Sequence, residues 1–454
     1  MTYRAAQGDI RLLLLGDAMP ARRLTRFDEP DYLALVELIR TADASVANLE
    51  TTVREGHEGT PILTHGTPMS TPPALLDDLG WMGIDMLACA NNHATDYGVD
   101  GLLAMLGHLG RRNIPFAGAG ANLAEARRPG YFDCAAGRVA LLAATTFFPP
   151  WTRAADQRPD AAGRPGVAPL EFHTSYRVDE AALAQLRRIG DSLGFAGERT
   201  RQRALFFSAR EAPADEGGAV HFLGRRFARG AGFAVETRAD KADADSILRW
   251  IGEARRQADW VVFSFHNHEF GPAARTTAAT NVAMEEPAAF AVEFARQAVE
   301  EGADVVFGHG PHLTLGVEIH KGRPILYSLG NFLFQNDNVP VFPAESYARF
   351  GLGPEATPAD FLDARTGNET RGFPAAPEYW HGLAASCDFS AGRLAAVRLT
   401  PLDLGFGRPR AQRGRPLVAR GAVAGAVLDR VRRLSARFGA EIVVEGESAT
   451  VRLP

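Results

Sequence analysis

The chain has 454 residues, 46% of them hydrophobic and 23% charged, which is the composition of a globular protein with a large core. The formal net charge of -5 gives no basic surface for nucleic acid or an anionic membrane, so neither is expected as a partner. No apolar run is long enough to span a bilayer, and no signal-peptide pattern is present, so we expect a cytoplasmic protein. Three scattered cysteines (Cys89, Cys134 and Cys387) predict reduced thiols instead of disulfides.

Short apolar runs in the first third of the chain each end in a polar residue suited to metal binding. Residues 12–15 are four leucines that lead to Asp17, and residues 44–49 lead to Glu50. The run 84–90 ends in Asn91-Asn92-His93. Helical spacing over 31–40, 75–79 and 99–112 separates these runs. Strands alternating with helices predict an α/β fold.

Two further apolar runs, in the second half of the chain, end in histidines. Residues 260–265 are followed by His266 and His268, and residues 304–307 by His309 and His312. An uninterrupted apolar run that stops at polar residues is typical of a buried strand whose carboxyl end opens into a site. Two such ends in one sheet would place several imidazoles within reach of one ion.

Composition divides the chain into a core with two insertions. We predict a first core segment at 1–148, an insertion at 149–239 that covers substrate or forms a lid, and a second core segment with the histidines at 240–335. Residues 336–380 are predicted to be a second, irregular insertion. Residues 381–454 alternate strands with a helix, which predicts a small α+β extension that completes the core.

The five strand ends favour a shared metal site over separate structural roles. A lone Asp after a strand is more often a helix cap, and a lone His is more often a core residue. Capping does not explain histidines, however, and ligands of open α/β sheets bind outside the carboxyl ends of the strands. The predicted site residues are Asp17, Glu50, Asn92 with His93, His266 with His268, and His309 with His312.

The order of these motifs resembles a known family. The chain is similar to the CapA (PgsA) poly-γ-glutamate capsule proteins, which are similar in turn to the calcineurin-like metallophosphatases. The resemblance covers about residues 10–148 and 258–335, and it implies a β-sandwich flanked by helices around a two-metal site. The motifs that carry it are Gly16-Asp17-Ala18-Met19, Asn48-Leu49-Glu50, Asn91-Asn92-His93 with Asp96 and Gly98, His266 with Glu269, Gly308-His309-Gly310-Pro311-His312 and Tyr327-Ser328-Leu329-Gly330-Asn331-Phe332.

The resemblance also implies a ligand set for two divalent ions, drawn from Mn, Zn, Fe or Ca. Met19 stands where the phosphatases carry a histidine, so the first ion loses a nitrogen ligand, and Glu50 matches their bridging Asp. His93 matches the phosphatase histidine that acts as general acid. The implied ligands are Asp17, Glu50 and His312 for the first ion, and Glu50, Asn92, His266 and His309 for the second.

Several residues near these motifs allow two interpretations. His268 is either a third imidazole for substrate or acid–base work, or a loop residue. Asp96 either orients the His93 ring or caps the helix that begins near Val99, and we favour the cap. Glu269 is a candidate for supporting the site from outside the ligands, and Asn331 is interpreted as a turn residue.

The predicted function is a metal-dependent hydrolase of an amide, γ-glutamyl or peptide, or of a phosphoester, acting through water activated by two metals. Asp17, His93 and His268 around the same metals also suit an alternative, a peptide or amino-acid epimerase. A third hypothesis is a non-catalytic component of poly-γ-glutamate capsule synthesis. The expected partner is a small-molecule or peptide substrate. Covalent catalysis is not expected, because no serine or cysteine nucleophile with a paired base is evident.

Overall fold

The leucine-rich segment near the N-terminus forms a central strand of the larger sheet. In the computed structural model, which describes residues 3, 5–63, 66–205, 213, 215, 217–272, 274 and 284–453, this strand is β1, Ile10–Met19. Leu13 and Leu15 belong to one buried cluster, whereas Leu12 and Leu14 belong to another. The alternation of a strand therefore sends successive leucines to opposite faces, and both faces are covered.

The other strands follow β1 in chain order, and many are short. They are β2 Ala44–Leu49, β3 Thr52–Val53, β4 Ser70–Thr71, β5 Met86–Ala88, β6 Phe116–Ala117, β7 Ala119–Gly120, β8 Gly130–Cys134, β9 Gly137–Thr145, β10 Gly166–Val167, β11 Phe172–Val178, β12 Val220–Phe222, β13 Arg225–Arg229, β14 Ala234–Ala239, β15 Trp260–His266, β16 Val305–His309, β17 Val317–His320, β18 Arg323–Leu326, β19 Asn331–Phe334, β20 His381–Ser390, β21 Arg393–Asp403, β22 Leu417–Val418, β23 Glu441–Glu445 and β24 Ser448–Arg452.

Helices alternate with the strands through most of the described chain. They are α1 Pro30–Arg40, α2 Ala74–Met82, α3 Gly98–Arg111, α4 Leu123–Arg127, α5 Glu180–Ser192, α6 Phe195–Leu205, α7 Lys241–Gln257, α8 Ala289–Glu301, α9 Ala344–Ala348, α10 Pro358–Thr366 and α11 Gly421–Ser435. The α/β class predicted from the sequence is therefore confirmed.

The chain divides into two compact units. The first comprises Met1–Leu170, Ala242–Glu269 and Phe294–Pro454, and the second comprises Glu171–Lys241 and Phe270–Glu293. The second unit contains a four-stranded sheet in the order β12-β13-β11-β14, with a small apolar cluster beneath it. These boundaries differ from the predicted insertion at 149–239, which begins earlier and omits the segment after β15.

The first unit contains two large sheets whose facing sides share one core. The larger sheet has the order β23-β24-β21-β20-β1-β2-β5-β6, with β19 also paired to β1, and the smaller has the order β17-β18-β16-β15-β9-β8. Leu12 and Leu14 of β1 lie in the same buried cluster as Val262 of β15 and Phe307 of β16. The two sheets therefore pack against each other through apolar side chains.

The opposite face of the larger sheet is covered by helices. Leu13 and Leu15 share their cluster with Leu35 of α1, Leu79 of α2 and Leu102 of α3, all of them buried. Each helix presents apolar residues at the three- to four-residue spacing that produces one buried stripe. The C-terminal strands complete this sheet, because β20 pairs antiparallel with β1 along six residues.

Parallel strands place the predicted site residues at one edge of each sheet. Strands β1, β2 and β5 run parallel in the larger sheet, and β9, β15 and β16 run parallel in the smaller. The register aligns Asp17 with Asn48 and His266 with His309. The register shifts on either side of Asp17, and such a bulge redirects a side chain.

One segment in the second half of the chain differs from the prediction. The segment 336–380, predicted to be irregular, contains helices α9 and α10. Helix α10 begins with a capping box of Thr357 and Asp360 followed by Pro358, a start signal that is present in the sequence. The sequence also predicts a helix over residues 198–210. It is observed as part of α6 up to Leu205, and residues 206–210 lie outside the described residues.

The structure bears on two further expectations. Within the part of the chain that the structure describes, no helix is both long and apolar enough to cross a bilayer. Cys89, Cys134 and Cys387 are free thiols, as their spacing predicted. The cytoplasmic location stays a prediction.

Truncation of the central strand tests the packing of the two sheets. Leu14 is fully buried, so we expect Leu14→Ala to lower the free energy of unfolding by about 2–5 kcal/mol through lost burial and a cavity. Leu33 of α1 is 42% exposed, and Leu33→Ala should change it by less than about 0.5 kcal/mol. Urea unfolding followed by circular dichroism measures both. Equal losses would contradict the assignment of Leu14 to the shared core.

Candidate metal centre

Side chains from five strand ends meet at one point of the first unit. Asp17 Oδ1 lies 3.3 Å from His309 Nδ1 and 4.0 Å from His266 Nδ1. Glu50 Oε1 lies 3.6 Å from His266 Nε2, and Asn92 Oδ1 lies 2.8 Å from the same nitrogen. The structure thus brings together residues that are up to 292 positions apart in the sequence. We refer to Asp17, Glu50, Asn92, His266, His268, His309 and His312 as the acid–histidine cluster.

Asp17 is held from several sides and is fully buried. Its Oδ1 accepts a hydrogen bond from Asn48 Nδ2 at 2.8 Å, and its Oδ2 accepts one from the backbone N–H of Gly310 at 3.0 Å. Oδ2 also lies 3.4 Å from His312 Nδ1. These contacts fix both carboxylate oxygens and leave them facing imidazole nitrogens.

His309 and His266 face each other across neighbouring strands. Their Nδ1 atoms are 3.0 Å apart. His309 Nε2 contacts Ser264 Oγ at 2.6 Å, so Nδ1 is the ring nitrogen that faces His266 and Asp17. The strand alternation places Ser264 and His266 on one face of β15.

Glu50 has the least satisfied environment among these residues. Its side chain is fully buried, and neither carboxylate oxygen has a hydrogen-bond partner in the described chain. Neither Glu50 nor Asp17 pairs with an arginine or a lysine among the described residues. Buried carboxylates are paired, neutralised or bound to metals, so this environment fits a cation between the two acids.

His312 approaches the cluster from the loop after β16. Its backbone has φ 58°, a left-handed conformation that is uncommon outside glycine and is enriched at functional sites. Nδ1 lies 2.9 Å from Asn331 Oδ1 and 3.9 Å from Glu50 Oε2. Asn331, interpreted from the sequence as a turn residue, is instead a fully buried strand residue beside a candidate ligand.

His268 joins the cluster through His266. The two Nε2 atoms are 3.0 Å apart, and the ring of Phe147 stacks on His268 with centroids 4.3 Å apart. His268 lies in the loop after β15, and its ring is also placed beside His266 and Glu50, so its role stays a prediction. The backbone turn at Gly310 (φ 111°) passes so near that a Cβ there would lie 3.0 Å from His268 Cδ2.

His93 and Asp96 form a separate pair next to the cluster. His93 Nδ1 lies 2.6 Å from Asp96 Oδ2, which also accepts a hydrogen bond from the backbone N–H of Met69 at 2.7 Å. Helix α3 begins after Tyr97 without a side-chain cap. The favoured interpretation of Asp96 as a helix cap is therefore wrong, and the alternative, in which it orients the His93 ring, is what the structure contains.

The electrostatics of the cluster reflect burial and mutual repulsion. Burial, reinforced by the charge of Asp17, raises the pKa of Glu50 well above its ordinary value. Burial also raises the pKa of Asp17, but the hydrogen bonds and charges of His309 and His312 outweigh it and hold that pKa well below the usual range. Burial, with the neighbouring His268 and His309, lowers the pKa of His266 far below 6.5. A neutral imidazole is the form that binds a metal.

Three overlapping groups of ligand atoms in this cluster have a geometry that can hold a metal ion. Within each group, all the ligand atoms lie within 4.8 Å of one another. One group matches the first implied ion, and the others divide the histidines differently from the implied second set, with His268 as an added member. The groups are Asp17, Glu50 and His312; Asp17, His266 and His309; and Glu50, His266 and His268.

Met19 and Glu269 were both considered from the sequence, and Met19 does not join this cluster in the described contacts. Met19 is buried in the apolar cluster beneath the helices, so the position implied to hold a histidine contributes packing instead. Glu269 directly follows His268, and its backbone N–H donates to Asn267 Oδ1 at 3.2 Å.

Some residues that support the site were not identified from the sequence. Asn91 Nδ2 donates to Asn48 Oδ1 at 3.1 Å, and Asn48 in turn donates to Asp17. Asn91 Oδ1 also accepts from the backbone N–H of His93 at 3.1 Å. Both asparagines lie in motifs that were recognised, whereas Ser264 was detectable only from its two-residue spacing to His266.

A comparison with protein-family models finds one family that the chain matches. The family model of the bacterial capsule synthesis protein PGA_cap matches residues 11–336, which is more than half of the chain. This region contains every residue of the acid–histidine cluster and the His93–Asp96 pair.

Curated relatives extend the similarity over almost the whole chain. "Uncharacterized protein y4sH" and "Uncharacterized protein y4uA" of Sinorhizobium fredii are each 34% identical over 97% of this chain and 93% of their own length. "PGA biosynthesis protein CapA" of Bacillus subtilis is 24% identical over 56% of this chain and 43% of its own length.

Replacement of Glu50 tests whether the cluster holds a cation. Glu50→Gln removes a buried acid for which the described residues supply no hydrogen-bond partner, so the chelator-treated variant should be at least as stable as chelator-treated wild type. At about 100 times Kd, Mn²⁺ or Zn²⁺ should stabilise wild type by roughly 3 kcal/mol and the variant far less. Thermal unfolding with and without added metal measures both effects.

A matched control is Asp78→Asn. Asp78 is also buried, but it pairs with Arg23 and accepts the backbone N–H of Leu24, so its loss should destabilise the protein equally with and without metal. If Glu50→Gln destabilises the chelator-treated protein as Asp78→Asn does and keeps the metal response, the cation interpretation fails.

Acidification of the metal-free protein tests the environment of His268. Burial, with the nearby His312, lowers the pKa of His268 to about 3. Between pH 6.5 and pH 3, His268 is protonated in the unfolded chain and stays unprotonated in the folded protein. The free energy of unfolding therefore falls as pH falls. His268→Gln should therefore lose less stability than wild type between pH 7 and pH 5, as measured by urea unfolding. Equal losses would contradict the shifted pKa.

Proposed function

Because this chain belongs to the PGA_cap family of bacterial capsule synthesis proteins, we propose that it is a metal-dependent hydrolase with a metallophosphatase-like sandwich and a two-ion site. The observation that carries the proposal is the fully buried Glu50, whose carboxylate lacks any described partner and faces Asp17 and three histidines. A buried carboxylate without a hydrogen-bond partner would only destabilise a core that has no ion to bind. The proposed sandwich is supported by two observations: the two sheets share one apolar core, and the parallel strands of both sheets end at the site residues.

The donor set suits borderline divalent ions. Imidazole nitrogens favour Zn²⁺, Fe²⁺ and Mn²⁺, and the two carboxylates suit Mn²⁺ and Ca²⁺. Divalent ions held there supply Lewis acidity, which polarises a substrate carbonyl or phosphoryl oxygen and lowers the pKa of water. Asp17 and Glu50 each belong to two of the three ligand groups, so both acids would help to hold ions there. The proposed ligands are Asp17, Glu50, Asn92, His266, His268, His309 and His312.

His93 is proposed to hold and deliver the catalytic proton. Its Nδ1 is fixed by Asp96, which leaves Nε2 as the exchanging nitrogen and keeps the ring in one orientation. The side chain is 14% exposed, so it remains accessible from the surface of the site. In hydrolysis His93 Nε2–H would protonate the leaving nitrogen or oxygen.

His268 is better suited to a ligand than to proton transfer. Its pKa of about 3 leaves the ring unprotonated at neutral pH, so it has no acidic proton to give. Its Nε2 lies within one ligand group with Glu50 and His266. We therefore assign the acid to His93 and a metal-binding role to His268.

The substrate class is proposed from the relatives. The family description concerns capsule synthesis, and one relative carries the name "PGA biosynthesis protein CapA". A γ-glutamyl or peptide amide is therefore favoured over a phosphoester. A small or peptidic substrate agrees with a site formed by side chains at a sheet edge.

A substitution at His93 tests the hydrolase. In protein loaded with Mn²⁺ or Zn²⁺, His93→Gln should lower kcat for γ-glutamyl-p-nitroanilide about 10²- to 10⁴-fold, and Asp96→Asn should lower it less. The Tm gain on metal addition should persist in both variants, because neither residue is a proposed ligand. His320→Gln, which alters a surface histidine paired with Glu300, is the matched control.

The same assay separates the alternatives. Cleavage of p-nitrophenyl phosphate, with none of the amide, would indicate a phosphatase. Deuterium uptake from D₂O at the α-carbon of an intact peptide would indicate an epimerase. Metal binding without turnover of any of these would favour the non-catalytic role and overturn the hydrolase proposal.

A further inference from the structure

A cavity of about 200 Å³ lies in the segment that follows the family match. Its lining combines apolar side chains with two arginines and one acid. Because a water molecule occupies about 30 Å³ of liquid, this volume accommodates a small organic group. The lining residues are Asn336, Asp337, Leu362, Arg365, Thr366, Arg371, Gly372, Phe373, Pro374 and Tyr379.

The cavity has an excess of positive charge. Its one acid, Asp337, already pairs with Arg413, whose Nε lies 2.6 Å from Asp337 Oδ2. Within the described residues, neither Arg365 nor Arg371 lies within ion-pair distance of a carboxylate. The described hydrogen bonds of the Arg371 side chain go to the backbone carbonyls of Arg365 and Ala364.

Arg365 is the more buried of the two arginines. Burial lowers the pKa of its guanidinium, which expresses the cost of removing this charge from water. The described hydrogen bond of its side chain goes to Thr67 Oγ1, a neutral acceptor. A desolvated guanidinium that lines a cavity without an acid partner favours an anion, since the five N–H donors of arginine suit carboxylates and phosphates.

One wall of the cavity adjoins the acid–histidine cluster. The ring of Phe373 contacts that of His312 edge-to-face, with centroids 5.3 Å apart. The carbonyl of Tyr379 accepts a hydrogen bond from Asn331 Nδ2, and Asn331 Oδ1 contacts His312 Nδ1. The cavity therefore begins one aromatic ring away from a proposed metal ligand.

A second set of contacts links the cavity to the His93–Asp96 pair. Arg365 contacts Thr67, and Met69, two residues later, donates its backbone N–H to Asp96. A group bound at Arg365 would thus lie near the loop that contacts Asp96, the partner of the proposed general acid His93. Both neighbours of the cavity belong to the catalytic arrangement.

We propose that this cavity is a subsite for an anionic group of the substrate, a carboxylate or a phosphate, which binds Arg365 and Arg371. Leu362, Phe373 and Tyr379 supply an apolar surface for the carbon chain that carries the anion. The role as a substrate subsite rests on the proposed hydrolase, whereas anion binding itself does not. The cavity would select substrates with a charged group near the bond to be cleaved.

Isothermal titration calorimetry with chelator-treated protein tests the proposal. The probes are succinate, inorganic phosphate and the neutral succinamide. Succinate or phosphate should bind saturably, and succinamide should not. Arg371→Gln and Arg365→Gln should each weaken binding by about tenfold or more, because a charge-assisted hydrogen bond is lost. Arg432→Gln, an exposed arginine paired with Asp429 on α11, should leave it unchanged.

The variants separate folding from binding. Arg371 is exposed, so Arg371→Gln should keep the wild-type Tm even if Arg365→Gln does not. Arg365→Lys, which retains the charge, should recover part of the affinity. A preference for succinate identifies a carboxylate subsite, and a preference for phosphate identifies a phosphate subsite.

Two outcomes would overturn the subsite. One is the absence of saturable binding of either anion to wild type, and the other is unchanged affinity in Arg371→Gln and Arg365→Gln. The anion titrations use metal-free protein, so their result does not depend on whether the protein is a metal-dependent hydrolase. In metal-loaded enzyme, the same arginine variants should raise KM for a charged substrate and leave kcat nearly unchanged.

Discussion

The burial of two carboxylates without a cationic side chain is the constraint on which the site depends. Asp17 and Glu50 are fully buried, and their described neighbours are imidazoles, amides and one backbone N–H. Isolated buried charge costs several kcal/mol or more, so the protein must protonate one acid or bind a cation. The raised pKa of Glu50 and the lowered pKa of Asp17 describe the first option, and the geometry of the ligand atoms describes the second.

The architecture explains how such distant residues meet. Parallel strands in each sheet end at one edge, and apolar packing between the sheets brings the two edges together. The bulge at Asp17 then turns its carboxylate toward His309. The core determines the position of the site, and the loops after the strands supply its chemistry.

Much of this arrangement was predictable from the sequence. Apolar runs that stop at Asp17, Glu50, His266 and His309 predicted both the strands and their common edge, since strand periodicity and sheet topology are local and general rules. The role of Asp96 was not predictable in this way, because capping and ring orientation use the same residue type at the same spacing.

Other features depend on contacts between distant segments. Asn331 follows a glycine, which is the pattern of a turn, yet it is a strand residue whose amide lies beside His312. The cavity near Arg365 forms only when residues 336–379 fold against the site. The hydrophobic periodicity of this segment does not predict that contact. Helix α10 is different, since its capping box at Thr357 is legible in the sequence.

The pairing of β1 carries a consequence for biosynthesis. This strand precedes its partners in the chain; it has β2 on one side and completes its pairing only with β19 and β20, more than 300 residues later. Until β19 and β20 are synthesised, one edge of β1 has no strand to pair with, and its leucines stay partly exposed to solvent. Long sequence separation slows closure of such a sheet. The late C-terminal strands thus act as the closing step of the fold, and a chain released before them would be prone to aggregate.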